Sequence, residues 1–397
     1  MYNQIFQQEE LQMRTKDKNG FNKKDPARNA FMLTGKFSRR GYDWWWHSFT
    51  AVNDATGEEV PFFIEFFLCN PALAGESPRP VLGQFPENQE EKKRPSYLMV
   101  KAGCWGKNKV QLHRFFAWKD VTVSEGAPYS VKAAECFASD TELRGSVSVR
   151  QSQAKVPAYM SDAGEMKWNL RLNKKVAFNV GYGAGKIFRA LKAFEMYWHA
   201  EGMKTNVTGS IILNGQSYTA RGEYSFGYAD KNWGCGFTSP WVWLSSCDLV
   251  SRKTSKRLNN SVFDIGGGRP KVFGIPLNRK LLSAFWYEGH PYEFNFSKFW
   301  TRTKTKFSSE ETESEIIWHV RQENKNAAME TDVKCRKADM IWVNYEDPDG
   351  HKRFKRLWNG GNGSGTVKLY KKERGEKILI DDIVARHIGC EYGEFES

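Results

Sequence analysis

Short segments in which apolar and polar residues alternate recur along most of this chain, with turn residues between them. Residues 145–150 (GSVSVR) and 166–172 (MKWNLRL) are examples. Successive side chains on a strand point to opposite faces, so this period of two indicates strands with one buried and one solvated face. Long helical periodicity is missing, and residues 186–198 are the best helical candidate before the carboxyl-terminal region. The pattern predicts an all-β barrel or sandwich protein with few short helices.

Turn signals indicate where the predicted strands reverse. The dipeptide Asn214-Gly215 is typical of a tight hairpin, and residues 53–57 (NDATG) separate two β-rich runs. Residues 70–95 contain five prolines and several charges, which predicts a long exposed loop that serves as a lid or rim. The glycine-rich residues 360–365 (GGNGSG) are predicted to form a flexible loop.

The length of 397 residues predicts about two domains. A polar, basic stretch at residues 251–257 (SRKTSKR) places the predicted boundary near residue 255. The predicted organisation is therefore a polar lead-in at 1–29, an amino-terminal domain at 30–255 that carries the candidate site, and a carboxyl-terminal domain at 256–397.

Charge and cysteine usage restrict the partners that we expect. There are 59 Lys and Arg against 46 Asp and Glu, but the densest basic clusters, 91–94 (EKKR) and 371–374 (KKER), include acids. Because the signals of nucleic-acid-binding folds are missing, we expect no nucleic acid partner and at most weak contact with an anionic membrane surface. The seven cysteines are scattered without a CxxC pair, which favours free thiols over disulfides or a zinc site.

Targeting and cofactor signals are equally sparse. The first twenty residues are polar and lack the apolar core of a signal peptide, and no apolar run reaches the roughly 18 residues of a membrane span. The glycine-rich residues 181–186 (GYGAGK) lack the spacing of a nucleotide-binding loop. We expect a cytoplasmic protein without a metal ion or an organic cofactor.

One segment, 226–237 (FGYADKNWGCGF), places a single carboxylate, Asp230, among aromatic residues and glycines. Burying a carboxylate among rings is costly, and desolvation raises its pKa. A carboxyl group with a raised pKa is suited to general acid catalysis near neutral pH. The alternative is a turn residue that caps backbone N–H groups, and spacing alone favours that alternative.

The same segment resembles the signature of the tocopherol cyclase family, which reads Tyr, any residue, an acid, Lys-Asn-Trp-Gly, then a Phe and a Trp-X-Trp strand. The matching residues are Tyr228, Asp230, Lys231, Asn232, Trp233, Gly234, Phe237, Trp241 and Trp243. This resemblance reverses the preference for a turn residue. It extends from about residue 30 to the end of the chain, and it implies two lipocalin-like β-barrel domains packed together, with an apolar cavity.

The chain departs from the family pattern at two places. Residues 43–46 read DWWW where the family usually has Glu-Gly-Trp-Tyr. The acid is Asp, as in the related carotenoid hydratases, where the plant cyclases have Glu. These departures affect the substrate that we expect more than the fold.

The resemblance implies a cofactor-free isomerase, an intramolecular lyase, that protonates an alkene in a hydrophobic prenylated or phenolic substrate before an oxygen captures the carbocation. Asp230 is the candidate acid, Tyr228 is its neighbour on the same strand face, and His199 is a third catalytic candidate. A buried structural histidine is an equally favoured interpretation of His199. The candidate substrate-binding residues are Trp198, Trp233, Asn232, Trp45, Trp46, Asp43 and Trp241.

Two other functions fit the same resemblance. A lipocalin-like carrier would bind and release a hydrophobic molecule without chemistry. A pericyclase-type cyclase would use shape and hydrogen bonds more than a proton, so its rate would vary little with pH.

Overall fold

The computed structural model describes residues 19–75, 77–178, 194–343 and 345–395. Nearly all the regular structure in these ranges is β, arranged as a nearly closed barrel and a half-barrel of lipocalin type, which confirms the predicted fold class. The α-helices are short: α1 (Asp25–Asn29), α2 (Pro86–Glu90) and α3 (Gln151–Ala154). No helix in the described ranges is long and apolar enough to cross a membrane.

The first sheet has eleven strands in the described residues, in the order β4-β3-β2-β1-β11-β10-β9-β8-β7-β6-β5. Their bounds are β1 Tyr42–Asn53, β2 Glu59–Cys69, β3 Tyr97–Cys104, β4 Val110–Phe116, β5 Val121–Val123, β6 Ser130–Ala133, β7 Cys136–Ser139, β8 Glu142–Val149, β9 Gly164–Phe178, β10 Met196–Leu213 and β11 Gln216–Gly234. Neighbouring strands are antiparallel, and the predicted hairpin at Asn214-Gly215 joins β10 to β11. Both turn residues have positive φ, as this tight turn requires.

The second sheet follows the first along the chain. Its strands are β12 Trp241–Ser246, β13 Asp248–Ser251, β14 Val262–Gly268, β17 Lys280–Tyr287, β18 His290–Phe294, β19 Lys304–Glu311, β20 Glu315–Glu323, β21 Ala327–Arg336, β22 Ile341–Trp342, β23 Phe354–Glu373 and β24 Glu376–Phe395. A separate hairpin consists of β15 Lys271–Val272 and β16 Ile275–Pro276. Strands β12 and β13 pair with β24 although they precede residue 255. The domain boundary near residue 255 stays a prediction.

Strands β1, β10 and β11 have two buried faces, and this property positions the candidate site. One face packs in the core of the first sheet, which contains Trp45 and Trp233. The opposite face contributes Trp46 and Tyr228 to a separate cluster, in which they meet Trp243 of the second sheet. Because alternate side chains on one strand point to opposite faces, neighbouring residues belong to different cores.

Two local predictions require comment. Residues 360–365 lie inside β23, so the predicted flexible loop is wrong. Their glycines allow close packing: a Cβ on Gly361 would lie 2.4 Å from the ring of Trp105. In the predicted helix at 186–198, residues 186–193 lie outside the described residues, and β10 already begins at Met196. The glycine-rich residues 181–186 also lie outside the described residues.

Candidate active site

Asp230 lies in the last third of β11 with its side chain between the two sheets. It is buried, with 8% of its surface exposed, and it pairs across the ladder with Trp46 of β1. Its Oδ2 accepts hydrogen bonds from Trp198 Nε1 at 2.7 Å and from Tyr228 Oη at 3.2 Å. Its Oδ1 is buried and has no hydrogen-bond partner. The carboxyl group therefore has one anchored oxygen and one free oxygen.

Burial controls the ionisation of this carboxyl group. Desolvation raises the pKa of Asp230 to about 8, although the hydrogen bonds from Trp198 and Tyr228 lower it. The negative charges of Glu391 and Glu201 raise it further. A group with this pKa is mostly protonated at neutral pH, as an acid catalyst must be before it reacts.

A second buried acid, Asp264 on β14, was missed by the sequence analysis. Its Oδ2 lies 3.1 Å from Tyr228 Oη, and its Oδ1 accepts a hydrogen bond from Trp243 Nε1 at 3.1 Å. Burial raises the pKa of Asp264 well above its ordinary range. A signal was present: Asp264 is a lone carboxylate in the apolar and glycine-rich strand VFDIGGG, much as Asp230 is in its own segment.

The hydrogen bonds to Asp230 favour Oδ1 as the site of its acid proton. Its Oδ2 accepts from Trp198 and Tyr228, whereas Oδ1 has no hydrogen-bond partner. The single phenolic proton of Tyr228 is shared between Oδ2 of Asp230 and Oδ2 of Asp264.

Aromatic side chains surround a small cavity beside Asp230. The cavity has a volume of about 40 Å³, and its ring-bearing lining residues are Trp44, Trp46, Phe237, Trp241, Trp243, Tyr345 and Phe354. The indole Nε1 of Trp46 is buried there without a hydrogen-bond partner. Glu391 also lines the cavity and accepts a hydrogen bond from Trp241 Nε1. The unpartnered oxygen of Asp230 therefore lies at a cavity that is lined by several aromatic rings.

Two further cavities adjoin this one. A cavity of about 70 Å³ shares Met196, Thr238 and Trp241 with the cavity beside Asp230. An outer depression of about 430 Å³ shares Phe237 with the cavity beside Asp230, and shares Glu195 with the second cavity. The three spaces therefore adjoin one another through shared lining side chains.

The structure brings together some of the predicted site residues. Tyr228 and Trp198 each donate a hydrogen bond to Asp230, and Trp46 and Trp241 line the adjacent cavity. Asn232 is buried nearby and accepts a hydrogen bond from Tyr42 Oη at 2.9 Å. These contacts give Asn232 a role in fixing the strand rather than a place in the cavity lining.

Four other predicted residues lie on the opposite face of the same strands. Trp45 and Trp233 pack in the core of the first sheet. Asp43 forms a fully buried ion pair with Lys231. His199 Nδ1 lies 2.7 Å from Asn29 Oδ1, and its Nε2 lies 3.5 Å from Asp25 Oδ1. These four side chains therefore lie away from Asp230, because each residue is one or three positions from a site residue along its strand, and their roles in catalysis and substrate binding stay predictions.

Metal ligation has no candidate in the part of the chain that the structure describes. No three His, Cys, Asp or Glu side chains there are placed to share an ion. The seven cysteines are all free thiols.

The fold and the hydrogen bonds of Asp230 define a lipocalin-like protein with a buried carboxyl group of raised pKa beside an aromatic cavity. Residues 117–394 match the sequence model of the family described as tocopherol cyclase-like. The chain belongs to that family, as the resemblance of its central segment implied. No curated protein matches the chain significantly.

Three solved structures resemble the chain at low identity. A putative AttH from Nitrosomonas europaea has a TM-score of 0.43 and 11% identity, over 92% of this chain and 97% of that one. Kievitone hydratase from Nectria haematococca has a TM-score of 0.47 and 10% identity, over 96% and 97%. CghA with Sch210972 has a TM-score of 0.46 and 10% identity, over 90% of each chain. At this level of similarity, function has to be argued from the site.

Proposed function

We propose that this chain is a cofactor-free acid catalyst that protonates a carbon–carbon double bond in a hydrophobic, prenylated or phenolic substrate. One observation carries the proposal: Oδ1 of Asp230 is buried without a protein partner at a cavity lined by aromatic rings. Its raised pKa keeps a proton available at neutral pH. Membership of the tocopherol cyclase-like family supports the same class of chemistry.

The reaction proceeds in two steps. The Oδ1–H bond of Asp230 breaks, the π electrons of the alkene form a C–H bond, and a tertiary carbocation remains. Trp198 and Tyr228 hold the resulting carboxylate through Oδ2. An oxygen then forms a C–O bond to the cation, and its O–H proton returns to Asp230. A phenol of the same substrate gives a cyclised isomer, and water gives a hydrated product.

The cavity lining supports both steps. Rings placed against a cation contribute roughly 0.5–2 kcal/mol each, and Trp46, Trp241 and Trp243 offer such faces. The unpartnered Nε1–H of Trp46 is a donor that can orient the attacking oxygen. A closed site also keeps solvent water from capturing the cation.

Substrate entry requires side chains to move. A volume of about 40 Å³ is far below the range of roughly 300–1,000 Å³ that is typical of ligand pockets. Met196, Thr238 and Trp241 separate this space from the second cavity, so their displacement would join the two. Methionine adapts its shape easily, which makes Met196 the easiest of these residues to move.

Turnover in D₂O of a hydroquinone that carries one prenyl group tests the proposal directly. Acid catalysis is expected to place one solvent deuterium on the former alkene carbon in each turnover, as detected by mass spectrometry and NMR. A carrier would return the substrate without deuterium, and a pericyclic reaction would give a product without deuterium on carbon. Either result would contradict the proposal.

Turnover is expected to be constant below pH 8 and to fall about tenfold per pH unit above it. Turnover falls at high pH because the acid reacts in its protonated form, and Asp230 loses its proton with a pKa of about 8. Asp264 and Asp230 share one phenol, so the alkaline limb reports the first ionisation of the pair. A profile that is flat from pH 6 to 10 would exclude Asp230 as the acid.

A further inference from the structure

The long loop that the sequence predicts at residues 70–95 forms one wall of a large groove in the first domain. The groove has a volume of about 1310 Å³, and its other wall comes from β4, β8 and the residues around Tyr159. It shares no lining residue with the cavity beside Asp230. The proposed catalysis makes no use of this space.

Positive charge surrounds the groove. The cationic residues that line it are Arg39, Arg79, Lys93, Arg94 and Arg114, and Glu87 is the one acid among its described lining residues. Three of these cations form ion pairs with acids outside the groove lining: Lys93 with Glu91, Arg94 with Asp349 and Arg114 with Glu135. Within the described ranges, Arg39 and Arg79 form no ion pair. The groove therefore presents two guanidinium groups without acidic partners.

The inner surface of the groove is apolar and aromatic. Phe115 and Tyr159 lie with their ring centroids 6.2 Å apart, and Phe85 contacts Tyr159 edge-on at 5.6 Å. Leu82 and Val149 extend this surface. Burying an alkyl chain against this lining would contribute a favourable free energy of about 25 cal/mol per Å² of apolar area removed from water.

A buried histidine lies among the lining residues. His113 has 3% of its surface exposed, and its ring nitrogens make no hydrogen bond of full geometry, although one interacts with the backbone of Tyr159. Burial and the nearby charge of Lys101 lower the pKa of His113 well below its ordinary value, against the Tyr159 backbone that raises it, so the ring is neutral and has one N–H. Buried polar groups in folded proteins normally have a partner, and a bound ligand atom would provide one.

We propose that this groove is a second ligand site, which binds a single amphiphile with a carboxylate head group on an apolar chain. The head group pairs with Arg39 and Arg79 and accepts the N–H of His113, and the chain lies on the aromatic surface. Guanidinium groups suit carboxylates because they can donate two parallel hydrogen bonds. The concave shape favours one inserted molecule over a bilayer surface.

Binding of dodecanoate, measured by isothermal titration calorimetry below its micelle concentration, tests this site. The double substitution Arg39→Ser and Arg79→Ser is expected to raise Kd at least about tenfold, because charge-assisted hydrogen bonds are lost. Arg171→Ser is the matched control, since Arg171 is 70% exposed and lies outside the groove. His113→Phe keeps the ring and removes its nitrogens, and it is expected to raise Kd about fivefold.

Three results would overturn the proposal. Dodecanol could bind as tightly as dodecanoate, which would remove the role of the arginines. Kd could be unchanged in the double arginine variant, which would place the ligand outside the groove. Binding could require phosphatidylglycerol vesicles and be absent for monomeric dodecanoate, which would indicate a membrane-facing patch. A raised Kd in the double arginine variant, with an unchanged Kd in Arg171→Ser, supports the groove whether or not the proposed catalysis is correct.

Discussion

Asp230→Asn is expected to lower turnover by about 10⁴-fold, the upper end of the roughly 10²- to 10⁴-fold that a general acid contributes. The amide has nearly the shape of the carboxyl group, and its oxygen can still accept from Trp198 and Tyr228. The group at the Oδ1 position becomes an NH₂, which cannot give a proton to carbon. Steady-state kinetics at pH 6 to 7 with the prenylated hydroquinone, together with thermal unfolding, would measure both properties.

Stability gives an independent measurement on the same variant. The folded-state pKa of Asp230 is raised from 3.8 to about 8, so its contribution to stability is fully present below pH 4 and is lost as pH rises through 8. Asp230→Asn removes this dependence, and the variant is expected to gain stability relative to the parent as pH increases. A parallel pH dependence in both proteins would contradict the assigned pKa.

Tyr228→Phe is the graded control for this experiment. It removes the phenol between Asp230 and Asp264 and is expected to cost about tenfold, equivalent to a hydrogen bond of ~1.4 kcal/mol. If Asp230→Asn retained turnover close to the parent, the acid mechanism would be wrong. If Asp230→Asn bound substrate normally and the parent showed no turnover, the carrier function would be favoured.

The sequence correctly predicted the features that depend on residues close together in the chain. Alternation predicted the all-β fold, the Asn214-Gly215 dipeptide predicted a hairpin, and the spacing of Tyr228 and Asp230 placed both on one strand face. Each of these depends on a period or on a dihedral preference within a few residues. The raised pKa of Asp230 was also predicted, because its neighbours along the chain are aromatic.

The sequence did not show which residues of β1, β10 and β11 belong to which of the two faces of these strands. Both faces are buried, so polar and apolar residues do not alternate as they do on a half-exposed strand. Asp43 and His199 were grouped with Asp230 through the family resemblance, and no pattern in the sequence showed that they contact Lys231 and Asn29 on the other side. Asp264 was missed for a different reason. Its contact with Tyr228 joins the two sheets across 36 residues of sequence, and no local pattern predicts such a contact.

The opposite face also carries the interaction with the largest expected effect on stability. Asp43 and Lys231 form an ion pair in which both side chains are 0% exposed, and the Lys231 ammonium lies 3.8 Å from the centroid of the Trp45 ring. The attraction between two buried charges offsets the cost of removing each from water, so loss of one partner leaves the other charge uncompensated. Burial raises the pKa of Asp43 to about 6 even with Lys231 beside it.

Lys231→Met is expected to lower the free energy of unfolding by about 3–5 kcal/mol at pH 7, a large part of a typical total of roughly 5–15 kcal/mol. The substitution leaves Asp43 buried with the Met32 N–H as its remaining donor, at 2.7 Å. Lys231 lowers the pKa of Asp43, so its removal raises that pKa above 6, and the loss should shrink as pH falls from 8 towards 6 and stay constant below it. Urea unfolding from pH 5 to 8 measures both effects. Adding Asp43→Leu should recover most of the stability, because an apolar pair needs no compensation. A loss below 1 kcal/mol, or no recovery in the double variant, would mean that water enters this core.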